Sequence, residues 1–223
     1  MDEIKIIEVK ESVFADNNAD ADRLRGELKE SKTFLLNLMS SPGAGKTSTL
    51  KQLAKELEGK LRWAVMEADI DSAVDTEAML NAGIPAIQIH TGGMCHLDAD
   101  MTRQGLRALD TKDVDLVILE NVGNLVCPAE FDTGAVKNMA ILSVPEGHDK
   151  PLKYPLMFQV CDTVLINKID VAPYFDFDLE QCREYILMRN PNARIFPISA
   201  KTGEGIEAVA AWLAEEVKSW KGV

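Results

Sequence analysis

The sequence predicts an α/β protein of three layers, in which helices cover both faces of a mostly parallel sheet. Short apolar runs of strand length alternate with segments of helical period along nearly the whole chain. The runs are almost continuously apolar, which is typical of strands buried on both faces. Polar and glycine-rich motifs follow several of these runs. They therefore fall at the carboxyl ends of parallel strands, where such sheets bind ligands.

Each predicted strand is a compact apolar run bounded by polar or glycine-containing sequence. The first, TFLLNLM, follows Lys32 and has the length of a buried strand. Six further strands are predicted from runs of the same kind. The seven predicted strands cover residues 33–39, 61–67, 84–90, 114–120, 139–144, 162–167 and 193–199.

The helices are predicted from apolar residues that recur on one face. Leu24 and Leu28 mark a helix over 18–31, and a helix that opens near Gly45 carries Leu50, Leu53 and Leu57. The segment before residue 18, MDEIKIIEVKESV, is predicted to be a short strand or an ordered arm. Residues 1–223 are expected to form one domain, with 1–30 as its N-terminal arm and helix. The remaining helices are predicted at 76–82, 98–109, 177–189 and 205–218.

Composition narrows the possible functions. The formal net charge is −12, which disfavours non-specific binding to nucleic acid or to an anionic membrane surface. No apolar stretch approaches the roughly 20 residues that span a bilayer, and the start lacks the features of a secretory signal. We therefore expect a cytoplasmic protein. Its four cysteines are too few for a disulfide framework, so they are core residues, metal ligands or reactive thiols.

A phosphate-binding loop follows the first strand. SSPGAGKTST at residues 40–49 matches the pattern G-x-x-x-x-G-K-[ST] except that Ser40 replaces the first glycine. The backbone N–H groups of such a loop converge on an oxyanion at the start of a helix. Lys46 can reach the β- and γ-phosphates, and the Thr47 hydroxyl can bind Mg²⁺. The predicted nucleotide-binding residues of this loop are Gly43, Ala44, Gly45, Lys46, Thr47 and Ser48.

A second motif predicts which base is bound. Asn167-Lys168-Ile169-Asp170 ends a buried strand, and its carboxylate can accept two hydrogen bonds from the edge of guanine. Adenine offers no such pair of donors and would leave the carboxylate unsatisfied, at a cost of about 1–3 kcal/mol. The Asn167 amide is expected to serve guanine N7 and the loop. Ser199, Ala200 and Lys201 end the next strand, where the Ala200 N–H can donate to guanine O6. These features predict GTP and GDP as ligands.

Acidic residues near the loop are candidates for Mg²⁺ and for the attacking water. Glu120 ends a buried strand, where an acid that supports the metal is expected. Asp69 and Asp75 lie six residues apart across a turn and are predicted to approach Mg²⁺, whereas Asp71 fits a solvated turn better. Phosphoryl transfer depends mainly on positioning and charge stabilisation. Lys46 and Asp75 are therefore the predicted catalytic residues.

Two cysteine-containing loops are the least ordinary feature of the chain. Cys95 and His96 follow two glycines, and Cys127 precedes a proline after another strand. Thiolate with imidazole suits Zn²⁺ or Ni²⁺; a catalytic Cys-His dyad is the competing interpretation. Cys161 and Cys182 are predicted to be buried, and His90 and His148 to be structural or solvated. Three ligands from one chain would need water or a second, symmetry-related copy to complete a site.

The stretches SSPGAGKTS, TGGMCHLDAD, ENVGNLVCPAEFD and NKID together resemble the hydrogenase nickel-incorporation GTPase (HypB) family, from about Ser31 onward. The resemblance implies a P-loop GTPase of the SIMIBI class, with slow intrinsic turnover expected. It also implies a GTP-dependent homodimer, nickel delivery to the [NiFe]-hydrogenase large subunit, and a nickel-binding accessory protein as partner. Cys95, His96 and Cys127 are the metal ligands that it implies.

The sequence departs from some members of that family in one respect. Residues 1–30 contain neither cysteine nor histidine, so the tight N-terminal nickel site of those members is not expected here. Three alternatives stay open. A urease-type accessory GTPase would usually carry a Cys-Pro-His motif, which is missing, and a cobalamin-mutase-type GTPase would not need Cys95 and Cys127. A nucleotide-controlled zinc or structural protein with negligible turnover is the third.

Overall fold

The computed structural model describes residues 9–69, 74–109 and 111–222, and the side chains among them from residue 16 onward. Its centre is a seven-stranded sheet in the order β3-β2-β4-β1-β5-β6-β7, in which all pairs of neighbouring strands are parallel. The strands are β1 Phe34–Ser40, β2 Trp63–Asp69, β3 Ala86–His90, β4 Leu116–Glu120, β5 Lys137–Ser143, β6 Thr163–Asn167 and β7 Arg194–Pro197.

Helices connect the strands. They are α1 Val9–Ser31, α2 Lys46–Leu57, α3 Val74–Leu80, α4 Ala99–Leu109, α5 Cys127–Glu130, α6 Lys150–Lys153, α7 Pro155–Val160, α8 Leu179–Arg189 and α9 Ile206–Lys221. Short 3-10 helices cover Thr111–Asp113, Val144–Glu146 and Ile169–Tyr174. In the part of the chain that the structure describes, no helix is long and apolar enough to cross a membrane.

The core lies on both faces of the sheet, as predicted. Every residue of β1 is buried. Leu36 and Leu38 point to one face, where α2, α3 and α9 pack. Leu35 and Met39 point to the other, where α1 and α4 cover one end and α7 and α8 the other. The three-layer α/β prediction is therefore confirmed, and all seven predicted strands exist with ends shifted by only a few residues.

Two predictions about secondary structure are wrong or incomplete. Helix α1 begins at Val9, so residues 9–13 are helical and not a strand or an arm; residues 1–8 lie outside the described part of the chain. Lys10 and Glu11 in this segment favour a helix even without an apolar stripe. Helices α5, α6 and α7 were not predicted, because four to six residues are too few to show a helical period.

Candidate functional site

The phosphate loop joins β1 to α2 at the carboxyl edge of the sheet. Gly43 and Gly45 both have left-handed backbone conformations, with φ of 74° and 104°. No side chain caps the start of α2, so the first N–H groups of the helix can face an anion. A Cβ on Gly45 would lie 2.5 Å from Asn167 Nδ2. Glycine is thus required at position 45 both by the positive φ and by the closeness of the Asn167 side chain. Ala44, between the two glycines, is buried.

Lys46 lies at the floor of this loop, in contact with the two ends of neighbouring strands. Its Nζ is 3.3 Å from Ser40 Oγ and 3.6 Å from Glu120 Oε1. Ser40, which replaces the usual first glycine, is fully buried and thus contributes a hydroxyl to the lysine. Glu120 is 4% exposed, so the lysine has a buried carboxyl partner before any phosphate arrives.

Glu67 is a site residue that the sequence reasoning missed. It lies directly opposite Glu120 in the register of β2 with β4 and is 3% exposed. Burial, and then the neighbouring Glu120, raise the pKa of Glu67 well above its ordinary value. Burial also raises the pKa of Glu120, against the opposing effect of Lys46. One signal was available: Glu67, like Glu120, is an acid that ends a predicted buried strand.

The residues of this cleft fit a hydrated divalent cation. Glu67 Oε1 and Glu120 Oε2 are buried and have no hydrogen-bond partner among the described protein atoms, which suits ligation to a metal or to its water shell. Thr47 Oγ1 donates to Asp75 Oδ1 at 3.0 Å, so the predicted Mg²⁺ residues Thr47 and Asp75 are together. Asp69 lines the same cleft of about 700 Å³, which also contains Pro42, Ser48 and Gly123. Asp71 lies outside the described residues.

The predicted base site forms a separate recess of about 350 Å³, lined by Gly45, Ser48, Lys168, Asp170 and Lys201 among others. Asp170 Oδ1 accepts a hydrogen bond of 2.7 Å from Ser199 Oγ. Ser199 is fully buried, so it orients the carboxylate from behind. Lys168 has a left-handed backbone and its Nζ donates to Gly43 O at 2.7 Å, which places its stem across the recess.

Asn167 contacts the phosphate loop, as predicted, and also two backbone N–H groups of the base site. It is 1% exposed, and its Nδ2 donates to Ala44 O at 2.8 Å. Its Oδ1 accepts from Lys168 N at 2.7 Å and from Ala200 N at 3.0 Å. The Ala200 N–H predicted to face guanine O6 is therefore engaged by Asn167 in this structure. Asn167 ties the phosphate loop to both base-site loops.

The two cysteine loops converge within one chain. Cys95 follows β3 and Cys127 begins α5 just after β4, so their loops flank the end of β2. The pKa of Cys127 is raised, chiefly by the neighbouring Cys95 thiol and secondly by burial. Asn124 Nδ2 also contacts Cys127 Sγ at 3.6 Å. The stacking of His96 on Phe131, one residue from each loop, confirms the prediction that these two loops lie near one another.

His96 follows Cys95 in the chain, and its ring contacts the loop that carries Cys127. Its Nδ1 is 4.0 Å from Cys95 Sγ, and its ring stacks on Phe131 with centroids 3.7 Å apart. Burial lowers the pKa of His96, which favours the neutral imidazole that binds metals. Within the described ranges, no three His, Cys, Asp or Glu side chains are already arranged as a metal site. One chain therefore brings the predicted ligands together without completing a site.

The other cysteines and histidines are where the sequence suggested, and His90 is exposed at the end of β3. Cys161 and Cys182 are fully buried, and burial raises the pKa of the Cys182 thiol to about 12. His148 Nδ1 accepts from Asp178 N at 3.3 Å and its ring packs on Phe177 and Tyr185. His148 therefore has a structural role.

A family model described as the CobW/HypB/UreG nucleotide-binding domain matches residues 34–197, which contain the phosphate loop, both cysteine loops and the base motif. This chain belongs to the CobW/HypB/UreG family. It is 43% identical over 213 residues to hydrogenase maturation factor HypB of Escherichia coli strain K12, covering 96% of this chain and 73% of that protein. It is 42% identical over 212 residues to hydrogenase maturation factor HypB of Azotobacter vinelandii, covering 95% and 70%.

Solved structures agree with this membership. The chain is similar to HypB from Helicobacter pylori in complex with nickel, with a TM-score of 0.86 and 37% identity over 92% of this chain and 96% of that one. HypB from Archaeoglobus fulgidus gives a TM-score of 0.84 at 35% identity, with 91% and 99% covered. The signal recognition particle receptor FtsY shares only the fold, at 15% identity and a TM-score of 0.54. As a member of the CobW/HypB/UreG family, the chain is a P-loop GTPase, as its resemblance to HypB implied.

Proposed function

We propose that this GTPase is a nickel metallochaperone that helps to insert nickel during [NiFe]-hydrogenase maturation. The relatives at 42–43% identity are named hydrogenase maturation factors, and one similar structure is a complex with nickel. This support favours the proposal over a cobalamin-mutase-type function. Ni²⁺ is the cargo, and Zn²⁺ is its chemical competitor at a site of thiolates and imidazole.

The observation that carries the proposal is a contact between the segment that leads to Cys127 and the phosphate loop. A Cβ added to Gly123 would meet Pro42 at 3.2 Å, and residues 120–123 line the nucleotide cleft four residues before Cys127. The Cys95 loop is tied to the same region, because Thr91 N donates to Asp69 O at 3.2 Å. Movement of the phosphate loop or of the Mg²⁺ ligands would therefore change the positions of both thiols, Cys95 and Cys127.

The nucleotide chemistry rests on the residues of the cleft. Mg²⁺ would be held through Thr47, Glu120, Asp69 and Asp75, with Glu67 behind them, and would supply positive charge to the phosphates. Lys46 would exchange its partner Glu120 for the β- and γ-phosphate oxygens. Asp75, which is exposed and already bonded to Thr47, would orient the attacking water. Asp170 would accept the guanine edge, held in place by Ser199.

A GTP-dependent homodimer would complete the metal site. Cys95, His96 and Cys127 are too few to enclose a metal ion, and two-fold symmetry supplies each ligand twice. Ordering of the phosphate loop by GTP in both chains would present the two thiol pairs to each other. Hydrolysis would loosen the pair and release the metal to the hydrogenase large subunit, with a nickel-binding accessory protein as donor or helper. We place this activity in the cytoplasm.

Metal titration of the wild type and of Cys95→Ala and Cys127→Ala tests the proposal. Each would be titrated with Ni²⁺ and Zn²⁺ in GDP and in a non-hydrolysable GTP analogue, with mass measured in parallel. We expect the wild type with the GTP analogue to bind metal as a dimer, and both variants to lose that metal while still binding nucleotide. Cys182→Ala is the matched control and should retain the metal. Full-affinity binding by a GDP-bound monomer would refute the shared site.

A further inference from the structure

Helix α1 contacts both cysteine loops through one side chain. Asn17 Oδ1 accepts from the N–H of Ala99, the first residue of α4 and the third after His96, at 3.0 Å. Its Nδ2 donates to the carbonyl of Asp132, five residues after Cys127, at 2.9 Å. These loops are separated by more than thirty residues in the chain, so the two bonds of one amide link them directly.

Two ion pairs fix α1 against the same two segments. Arg103 of α4 is 9% exposed, and its Nη1 donates to Asp20 Oδ2 at 2.7 Å. Arg103 also holds the pKa of Asp20 below its ordinary value by donating this bond. On the other side, Arg25 pairs with the Asp132 carboxylate, which itself accepts from Gly134 N at 2.9 Å. Asn17 therefore sits in a helix that is held to both loops at neighbouring turns.

The geometry of the thiols depends on how these loops meet. Phe131, next to Asp132, stacks on His96 and so brings the second loop against the first. Cys95 follows a tight turn in which Gly92 and Gly93 have positive φ and Thr91 Oγ1 donates to Met94 O at 2.6 Å. A donor and an acceptor on one short side chain link Ala99 to Asp132, which lie three and five residues beyond the ligands His96 and Cys127.

We infer that Asn17 is a positioning residue for the Cys95–His96–Cys127 metal site, and that α1 sets its affinity for metal. The inference rests on the proposed function, because it concerns the same ligands. In the part of the chain that the structure describes, the two hydrogen bonds of Asn17 go to Ala99 and Asp132, which are neither metal ligands nor residues of the nucleotide cleft. Asn17 acts by linking the segments that follow the ligands, so that the two loops are held together before metal binds, which reduces the ordering that metal binding must impose.

The test is Asn17→Ala, with Asn18→Ala as the matched control. Asn18 is the neighbouring residue of the same type and is exposed, so it shares the helix but not the bridge. Alanine favours the helix at both positions, so α1 should remain formed. With the non-hydrolysable GTP analogue bound, we expect Asn17→Ala to bind Ni²⁺ at least tenfold more weakly than wild type, with GDP affinity unchanged. Asn18→Ala should bind Ni²⁺ like wild type.

Two further measurements separate positioning from a general loss of structure. Asn17→Asp keeps the acceptor for the Ala99 N–H and loses the donor to Asp132, so its Ni²⁺ affinity should be intermediate. A short bifunctional thiol reagent should link Cys95 to Cys127 more slowly in metal-free Asn17→Ala than in Asn18→Ala. Equal Ni²⁺ affinity and equal linking rates in the two alanine variants would overturn the inference. If Cys95→Ala also retained the metal, the proposed function itself would fail.

Discussion

Replacing each of the two phosphate-loop glycines by alanine should separate backbone strain from close approach. Both Gly43 and Gly45 have positive φ, so alanine at either position costs about 1–2 kcal/mol in a left-handed conformation. A Cβ at position 43 meets nothing within 4 Å, whereas one at position 45 would lie 2.5 Å from Asn167 Nδ2. Moving that amide would break its bond to Ala44 O and leave buried groups unsatisfied, which adds about 1–3 kcal/mol.

We therefore expect Gly43→Ala to lower the free energy of unfolding by about 1–2 kcal/mol, and Gly45→Ala by about 2–5 kcal/mol. Chemical unfolding of the nucleotide-free proteins measures both values without the confounding loss of nucleotide binding. Gly45→Ala should in addition weaken GDP binding more, because Asn167 also holds the Lys168 and Ala200 N–H groups. Equal destabilisation by the two substitutions would refute the assigned role of the Asn167 contact.

Four other substitutions test the site and its surroundings. Asp170→Asn should weaken GTP binding and strengthen XTP binding, measured by competition; unchanged GTP affinity would remove Asp170 from the base site. Asp75→Ala should lower single-turnover GTP hydrolysis more than GTP affinity, and equal hydrolysis would exclude it from catalysis. Glu67→Gln should weaken the Mg²⁺ dependence of GDP binding. Because the pKa of Glu67 is raised on folding, wild-type stability falls as pH rises above the ordinary carboxyl pKa, so the variant should gain relative stability at pH 8. Asp115→Asn should destabilise the protein at neutral pH. Burial raises the pKa of Asp115, but hydrogen bonds from Arg62 and Lys221 outweigh burial and hold the pKa well below its usual value. The wild type should therefore lose stability as pH falls below about 4, and the variant should lose less. An unchanged acid-unfolding profile would show that these bonds do not contribute.

The proposed dependence of metal on nucleotide has a simple structural basis. The carboxyl ends of β2, β4 and β1 lie side by side, and each is followed by a loop that carries part of the chemistry. Glu67 and Glu120 share one register position between two of these strands. The Gly123–Pro42 contact then connects the segment before Cys127 to the phosphate loop. A change in the phosphate loop can therefore reach Cys95 and Cys127 through a few neighbouring contacts.

The features that the sequence by itself determined are those encoded within a few consecutive residues. The apolar runs predicted all seven strands, because a strand buried on both faces needs an unbroken apolar segment. The phosphate loop and the base motif were recognisable for the same reason: their glycines, Lys46 and Asp170 act at fixed spacings along the chain. Cys95, His96 and Cys127 were predicted as metal-ligand candidates because they stand in glycine-rich or proline-flanked loops after strands.

Other features were decided only by tertiary structure, because they depend on pairs of residues far apart in the chain. Glu67 became a site residue through the pairing of β2 with β4, which are separated in sequence by β3 and α4. Asn167 bonds to Ala44 across 123 residues, and Asn17 reaches Ala99 and Asp132 across 82 and 115. An asparagine side chain both donates and accepts, so it forms hydrogen bonds with whichever backbone groups the fold brings to it. The periodicity of the sequence does not encode such long-range contacts, and the stacking of His96 on Phe131 is another of them.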